Sequence, residues 1–111
     1  KDKIQIMSLN VRGLRQDTKR RKFFTWLHKQ PVDIILLQET HSTKDIEQNW
    51  KSDWGGNLLF SHGTNNARGT CILLKPGGYD IDIHDSLTDV SGRFIVLDLT
   101  VNKTRLTIWW V

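Results

Sequence analysis

Two short apolar runs, with an amphipathic segment between them, open the chain. The first run spans residues 4–9 and the second residues 34–37, and each suits a strand that is covered on both faces of a sheet. Residues 17–30 have helical spacing, with basic side chains at 19–22 on the outer face, and Pro31 ends the segment. The inner face of this predicted helix consists of Phe23, Phe24 and Leu27. The pattern predicts a strand, a helix and a second strand.

Each of these predicted strands ends in a polar residue. Asn10 follows the first apolar run, and Glu39 follows the second within Gln38-Glu39-Thr40. A right-handed crossover would make the two strands parallel, so that their carboxyl ends lie at one edge of the sheet, where open α/β sheets bind ligands. We therefore expect Asn10 and Glu39 to be neighbours in a ligand site, although each alone also fits ordinary turn or strand-end chemistry.

The rest of the chain has the pattern of strands joined by short turns. A short helix is expected within residues 43–50, with Gly55-Gly56 stopping it. Strands are expected over residues 57–61, 70–75, 79–84, 93–101 and 105–111. The two residues Asn102-Lys103 between the last two strands have hairpin spacing. We predict an α/β fold with one mixed, mostly antiparallel sheet of about six to seven strands and one main covering helix.

Positive charge is concentrated in the first part of the chain. Residues 1–30 hold nine Lys or Arg and two Asp, whereas residues 31–111 hold seven Lys or Arg and ten Asp or Glu. A basic strip beside a ligand edge suits a polyanion such as nucleic acid, and a solvated helix face explains the charge equally well. The candidate nucleic-acid contacts in this strip are Arg12, Arg15, Lys19 and Arg20.

The sequence lacks a second cysteine and lacks an apolar run long enough to span a membrane. Cys71 is the single cysteine, so an intrachain disulfide is excluded and a reducing, intracellular compartment is the simpler expectation. The sequence has no apolar run of the ~20 residues needed to cross a membrane, and we expect no membrane partner.

Four stretches, in order, resemble the endonuclease domain of LINE-type (non-LTR) retrotransposons. They are residues 8–14, 33–41, 69–74 and 92–96. That domain belongs to the exonuclease-endonuclease-phosphatase superfamily, together with apurinic/apyrimidinic endonucleases and deoxyribonuclease-I-like enzymes. The resemblance implies that residues 1–111 are the amino-terminal half of such a domain and form part of its α/β sandwich.

The same resemblance assigns chemistry to the strand-end residues. It implies that Glu39 holds a catalytic Mg²⁺ or Mn²⁺ and that Asn10 is a polar partner of the metal and the scissile phosphate. A hard divalent cation favours carboxylate oxygen and keeps several waters, which agrees with this assignment. His41 would lie at the rim of the site, close to DNA, and would not be the catalytic histidine, which comes later in the family.

Later motifs of the family have no counterpart in these 111 residues. They are Tyr-Ala-Pro-Asn, an Asp-x-Asn motif that activates water, and a Ser-Asp-His motif that binds metal and phosphate. We therefore expect the chain alone to bind Mg²⁺ weakly at best and to be catalytically silent. The complete relative would nick DNA in the nucleus to prime reverse transcription. A carboxyl-terminal half, or self-association, would cover apolar surface left open at Ile108 and at one of Trp109 and Trp110.

Two other functions stay open on the sequence alone. A half-domain that binds nucleic acid without cleaving it would show a salt-dependent, sequence-indifferent affinity. A remnant of a degenerate retroelement would have no selected activity. Cooperative thermal unfolding distinguishes a folded domain from such a remnant.

Overall fold

The predicted strand, helix and strand open the fold. The structure, a computed structural model, describes residues 3–111. The first elements are β1 (Ile6–Asn10), α1 (Asp17–His28) and β2 (Ile34–Gln38). A 3-10 turn at Lys44–Ile46 leads into α2 (Glu47–Trp54), and then come β3 (Leu58–Ser61), β4 (Thr70–Leu74), β5 (Ile81–Thr88), β6 (Ile95–Val101) and β7 (Thr104–Trp110). The α/β class is confirmed. No helix among residues 3–111 has both the length and the apolarity to cross a membrane.

The seven strands form two sheets, so the prediction of a single sheet is wrong. One sheet has the order β1-β2-β4-β3, and the other has the order β5-β6-β7. The physical reason lies in β2 and β4, whose apolar residues are buried on both faces. A sheet with two apolar faces needs a cover on each side, and the later strands supply one of those covers instead of extending the sheet.

Three layers result, with the four-stranded sheet in the middle. On one side of it the helices bury a core that includes Phe24, Leu27, Trp50 and Trp54. On the other side the second sheet packs against it, and the core between the sheets contains Ile34, Leu36, Ile72, Leu74, Ile95, Leu97, Leu99 and Val101. Cys71 in β4 is fully buried in the helix-side core, as its apolar strand predicts, and burial raises the pKa of its thiol.

β1 differs from the inner strand that its apolar run predicts. It is an edge strand whose one neighbour among the described strands is β2, with which it runs parallel. Met7 and Leu9 pack towards the helices, whereas Ile6 on the other face is 49% exposed. Ser8 and Asn10 share that exposed face, because side chains alternate along a strand.

Two boundaries lie further along the chain than the sequence predicts. The helix expected within residues 43–50 is α2, which runs to Trp54 and ends at Gly55 with a left-handed φ of 76°. β5 continues past His84 to Thr88, because an irregularity between Ile83 and Asp85 lets it keep pairing with β6. The hairpin prediction is confirmed, since Asn102 and Lys103 both have positive φ and join β6 to β7.

The two tryptophans of β7 face opposite sides, as their adjacency predicts. Trp109 is 73% exposed on the outer face of the second sheet. Trp110 is half-buried, and its Nε1 donates to the Leu37 carbonyl at 2.8 Å. Ile108 packs against the core between the sheets. The expectation of an open face therefore holds for Trp109 and is wrong for Ile108, because this chain supplies both packed sheets. Self-association stays a prediction.

Arg20 is buried, so its assignment to the nucleic-acid surface is wrong. The side chain is 1% exposed, and its Nε donates to Asp53 Oδ2 at 2.9 Å. It also bonds Asp17 and the carbonyls of Leu14 and Arg15, and its Cζ lies 5.6 Å from the Trp50 ring centroid. A buried guanidinium with these partners ties α1 to α2 and to the loop before α1.

Replacing Arg20 should destabilise the protein far more than replacing its neighbour Arg21. Arg20→Ala removes the buried donor to Asp53 and leaves two carbonyls without the guanidinium that bonds them, so we expect a loss of about 3 kcal/mol in the free energy of unfolding. Arg21 also bonds Asp53, but its side chain is 64% exposed. Arg21→Ala should therefore cost about 0.5 kcal/mol or less. Urea denaturation of both variants measures the difference, and equal losses would contradict the structural role of Arg20.

Candidate functional site

The carboxyl ends of β1 and β2 meet at one edge of the central sheet, as predicted. Asn10 lies beside Gln38 in the parallel register. A cleft of about 450 Å³ opens there. Its lining residues are Asn10, Gln38, Glu39, Arg68, Gly69, Thr70, Gly92, Arg93 and Val111. The structure thus brings Asn10 and Glu39 to the same cleft, while their roles as ligands stay predictions.

Glu39 lines this cleft, and its carboxylate is unpaired in the described part of the chain. Its backbone has a φ of 52°, in the left-handed region, and its carbonyl accepts a hydrogen bond from the Gly13 amide at 2.6 Å. The side chain is exposed and forms no ion pair within residues 3–111. The loop is held through its backbone, so the carboxylate oxygens are available to a ligand.

Asn10 combines turn chemistry with its place in the cleft. Its Oδ1 accepts a hydrogen bond from the Arg12 amide at 3.1 Å, which shapes the turn after β1. Arg12 has a φ of 50° and Gly13 a φ of 88° in this turn. A Cβ at Gly13 would lie 2.7 Å from His41 Nδ1, so the close approach of the two loops requires glycine there.

Backbone hydrogen bonds join four segments beneath the cleft, which we call the cleft floor: residues 10–14, 38–41, 68–69 and 92–93. The Val11 amide donates to Gln38 at 3.0 Å, and the Leu14 amide donates to Thr40 at 3.0 Å. The amides of Thr40 and His41 in turn donate to the carbonyls of Gly69 and Arg68. Finally, the Gly69 amide donates to the Gly92 carbonyl at 3.1 Å. Loops from both sheets are thereby fixed in one arrangement.

The other residues predicted to contact nucleic acid occupy different positions around this floor. Arg12 is exposed beside the cleft. Arg15 is half-buried and donates to the His41 carbonyl at 3.2 Å and to Thr43 Oγ1 at 2.7 Å. Lys19 donates to the Gly13 carbonyl at 2.7 Å. His41 is half-buried against Gly13. Arg15 and Lys19 therefore brace the loops, and Arg12 is the residue of this set most available to a polyanion.

A side-chain network that the sequence prediction missed supports the exit from β2. His62 Nδ1 lies 3.0 Å from Ser42 Oγ, and His62 Nε2 lies 2.9 Å from Glu47 Oε2. Ser42 is fully buried and bonds Thr40 Oγ1 at 2.9 Å. The network links α2 and β3 to the residue that follows Glu39. His62 lies 15 and 20 residues from Glu47 and Ser42 in sequence, so no local spacing could have revealed the network.

The donor set of the cleft suits a weakly held hard cation. Glu39 offers carboxylate oxygen, and the amides of Asn10 and Gln38 offer neutral oxygen. Residues 3–111 contain no group of three or more His, Cys, Asp or Glu side chains placed to hold a metal. Mg²⁺ is commonly bound through one or two carboxylates with waters and substrate phosphates. The residues present therefore fit Mg²⁺ or Mn²⁺ in company with a phosphate, and not a cage built by this chain alone.

Comparison with known proteins defines the class. Residues 7–107 match the Endonuclease/Exonuclease/phosphatase family, so the chain belongs to that family. It is 26% identical over 94 residues to the "Transposon TX1 uncharacterized 149 kDa protein" of Xenopus laevis, covering 85% of this chain and 7% of that protein. It also superimposes on the AP endonuclease LMAP of Leishmania major with a TM-score of 0.66 and 16% identity.

These matches confirm the resemblance that the sequence motifs predict. The structural match covers 96% of this chain and 39% of the endonuclease, so the chain has part of that fold. The chain spans a small part of the transposon protein and well under half of the endonuclease. The chain is therefore a member of the Endonuclease/Exonuclease/phosphatase family that has part of the AP endonuclease fold and is similar to a transposon protein.

The cleft floor should tolerate an added methyl group at Gly69 poorly. Gly69 has a φ of 98°, and a Cβ there would overlap Thr40 Oγ1. Gly77 has a comparable φ of 74° but open space around it, so Gly77→Ala reports the backbone cost alone. We expect Gly77→Ala to cost about 1 kcal/mol and Gly69→Ala about 2–3 kcal/mol in the free energy of unfolding. Thermal unfolding measures both, and equal costs would contradict the tight packing at Gly69.

Proposed function

We propose that this chain provides part of the metal-binding and phosphate-binding site of a DNA endonuclease, which in its complete form nicks DNA in the nucleus to prime reverse transcription. The observation that carries the proposal is the shared cleft of Asn10 and Glu39, with the Glu39 carboxylate free of protein partners among the described residues. Family membership and the transposon relative support the assignment of this cleft to phosphodiester chemistry.

In this proposal each residue has a separate task. Glu39 holds a Mg²⁺ or Mn²⁺ through its carboxylate, and Asn10 orients the phosphate beside it. When bound, the cation offsets negative charge on the phosphate under attack. Arg12, exposed next to Asn10, contacts the DNA backbone and adds a salt-dependent share of the affinity.

We further propose that the 111 residues alone do not cleave DNA. Hydrolysis needs a group that takes a proton from water and a group that stabilises the leaving oxygen. Within the cleft, Glu39 is the one side-chain carboxylate, and the cationic neighbours Arg68 and Arg93 cannot accept a proton. Partial coverage of the endonuclease fold supports the view that other residues of a complete protein supply those groups.

Loss of the Glu39 charge should abolish nicking by the complete protein. The reading frame that encodes these residues is expressed in full, and conversion of supercoiled plasmid to the nicked form is measured with and without Mg²⁺. We expect Glu39→Gln to lower the rate at least ~100-fold, because a metal ligand is lost without a change of shape. Asp82→Asn, an exposed carboxylate on β5, is the matched control and should retain the rate. Full activity of Glu39→Gln would refute the assignment.

The same assay on the 111-residue chain tests the proposed inactivity. We expect no nicking above the rate of plasmid alone with either Mg²⁺ or Mn²⁺. Metal-dependent nicking by this chain that disappears in Glu39→Gln would show that it contains more of the catalytic machinery than proposed. DNA binding without nicking in the complete protein would instead support the non-catalytic binding module.

A further inference from the structure

Two arginines line the wall of the cleft. Arg68 and Arg93 both line it, and each adjoins a glycine with positive φ, Gly69 at 98° and Gly92 at 76°. The hydrogen bond from the Gly69 amide to the Gly92 carbonyl, 3.1 Å long, directly connects the two segments. The backbone thereby brings together at the cleft the turn before β4 and the turn before β6, which carry these two cationic residues.

Neither guanidinium is neutralised within residues 3–111. Arg20, Arg21 and Arg105 all pair with aspartates, whereas Arg68 and Arg93 form no ion pair and their side chains donate no hydrogen bond in that range. Two like charges that line one cleft repel, and an anion that binds between them offsets this repulsion. An arginine pair left in this condition is typical of an anion site.

Backbone conformation at Arg68 supports a role for its side chain. Its φ is 60°, a region that costs free energy for a residue with a Cβ and that glycine adopts without cost. The chain nevertheless carries a long cationic side chain at this position. Strained residues of this kind are concentrated at ligand sites.

A buried hydroxyl group provides an independent sign of a ligand. Thr70 lines the same cleft, is 4% exposed, and its Oγ1 has no hydrogen-bond partner in the described part of the chain. A buried hydroxyl without a partner costs free energy that a ligand oxygen would recover. Thr70 follows Gly69 directly, so this donor belongs to the same wall as Arg68.

We propose that Arg68, Arg93 and Thr70 form an anion site for a nucleic-acid phosphate next to the one placed at Asn10 and Glu39. The planar guanidinium group binds two phosphate oxygens at once, and a hydroxyl adds a neutral donor. The identification of the ligand as nucleic acid rests on the proposed function. The site itself needs no divalent cation, because its charge comes from the arginines.

Binding of a short, fluorescently labelled DNA duplex to the 111-residue chain tests this site in the presence of a chelator. We expect Arg68→Gln/Arg93→Gln to weaken binding at least ~10-fold. The slope of log affinity against log salt concentration should become shallower by about two, because two phosphate contacts are lost. The control Lys29→Gln/Lys103→Gln removes the same charge from exposed residues outside the cleft and should change affinity less than ~2-fold. Equal losses in the two double variants would overturn the proposal.

A variant that keeps both positive charges distinguishes bidentate binding by the guanidinium groups from attraction by charge alone. Arg68→Lys/Arg93→Lys keeps both charges but loses the bidentate groups, so we expect affinity to fall about 5-fold with an unchanged salt slope. Wild-type affinity in this variant would overturn the arginine site. Inorganic phosphate serves as the probe for a free anion, and binding of phosphate as tight as that of the duplex would overturn the nucleic-acid assignment.

Thr70→Val gives a readout that a purely structural role would not produce. Valine has nearly the same shape and removes the unpaired hydroxyl, so the melting temperature should stay equal or rise while DNA affinity falls several-fold. A fall in melting temperature with unchanged affinity would show that Thr70 is structural only and would remove it from the site.

The outcomes distinguish this site from the proposed function. If the arginine variants bind DNA normally and Glu39→Gln still abolishes Mg²⁺-dependent nicking, the anion site is refuted and the proposed function stands. If the arginine variants lose binding while nicking does not depend on Glu39, the anion site stands and the proposed function is refuted.

Discussion

The backbone hydrogen bonds of the cleft floor are the constraint on which the candidate site depends. They join the turn after β1, the exit from β2, the start of β4 and the turn before β6. Four non-glycine residues with positive φ, namely Arg12, Glu39, His41 and Arg68, lie in these segments. Each such conformation costs about 1 kcal/mol or more, and it persists because the surrounding bonds leave no alternative. Strain and hydrogen bonding together determine where the polar side chains lie.

Packing explains why the floor can be formed at all. β2 and β4 are the buried centre of the molecule, with helices on one face and the second sheet on the other. Segment 92–93 approaches segment 68–69 because β6 packs across the central sheet. Without the second sheet, the Gly92 carbonyl could not accept the hydrogen bond from the Gly69 amide. The architecture of two sheets is therefore a condition for the cleft, and not only a source of stability.

The sequence predicts well what depends on local pattern. The apolar runs ending at Asn10 and Glu39 correctly locate β1, β2 and their common edge, and helical spacing locates α1. Alternation along a strand cannot show which strands pair, so the second sheet was missed. The sequence places Arg20 on the surface because charge is usually solvated, and it does not show that Arg20 binds Asp53, which lies 33 residues away. The presence of Arg68 and Arg93 in one cleft likewise depends on a tertiary contact, the hydrogen bond from the Gly69 amide to the Gly92 carbonyl.

The most direct test of the account is paramagnetic broadening by Mn²⁺ in the amide NMR spectrum of the isotope-labelled chain. Bound at Glu39, Mn²⁺ should broaden the amides of residues 10–13, 38–41 and 68–70 first, and Glu39→Gln should remove the effect. Broadening that begins instead at the aspartates of β5 and β6, Asp82, Asp85 and Asp98, would contradict the account, because the cation would then prefer the outer face of the second sheet. Retention of the cleft pattern in Glu39→Gln would contradict the central role of that carboxylate.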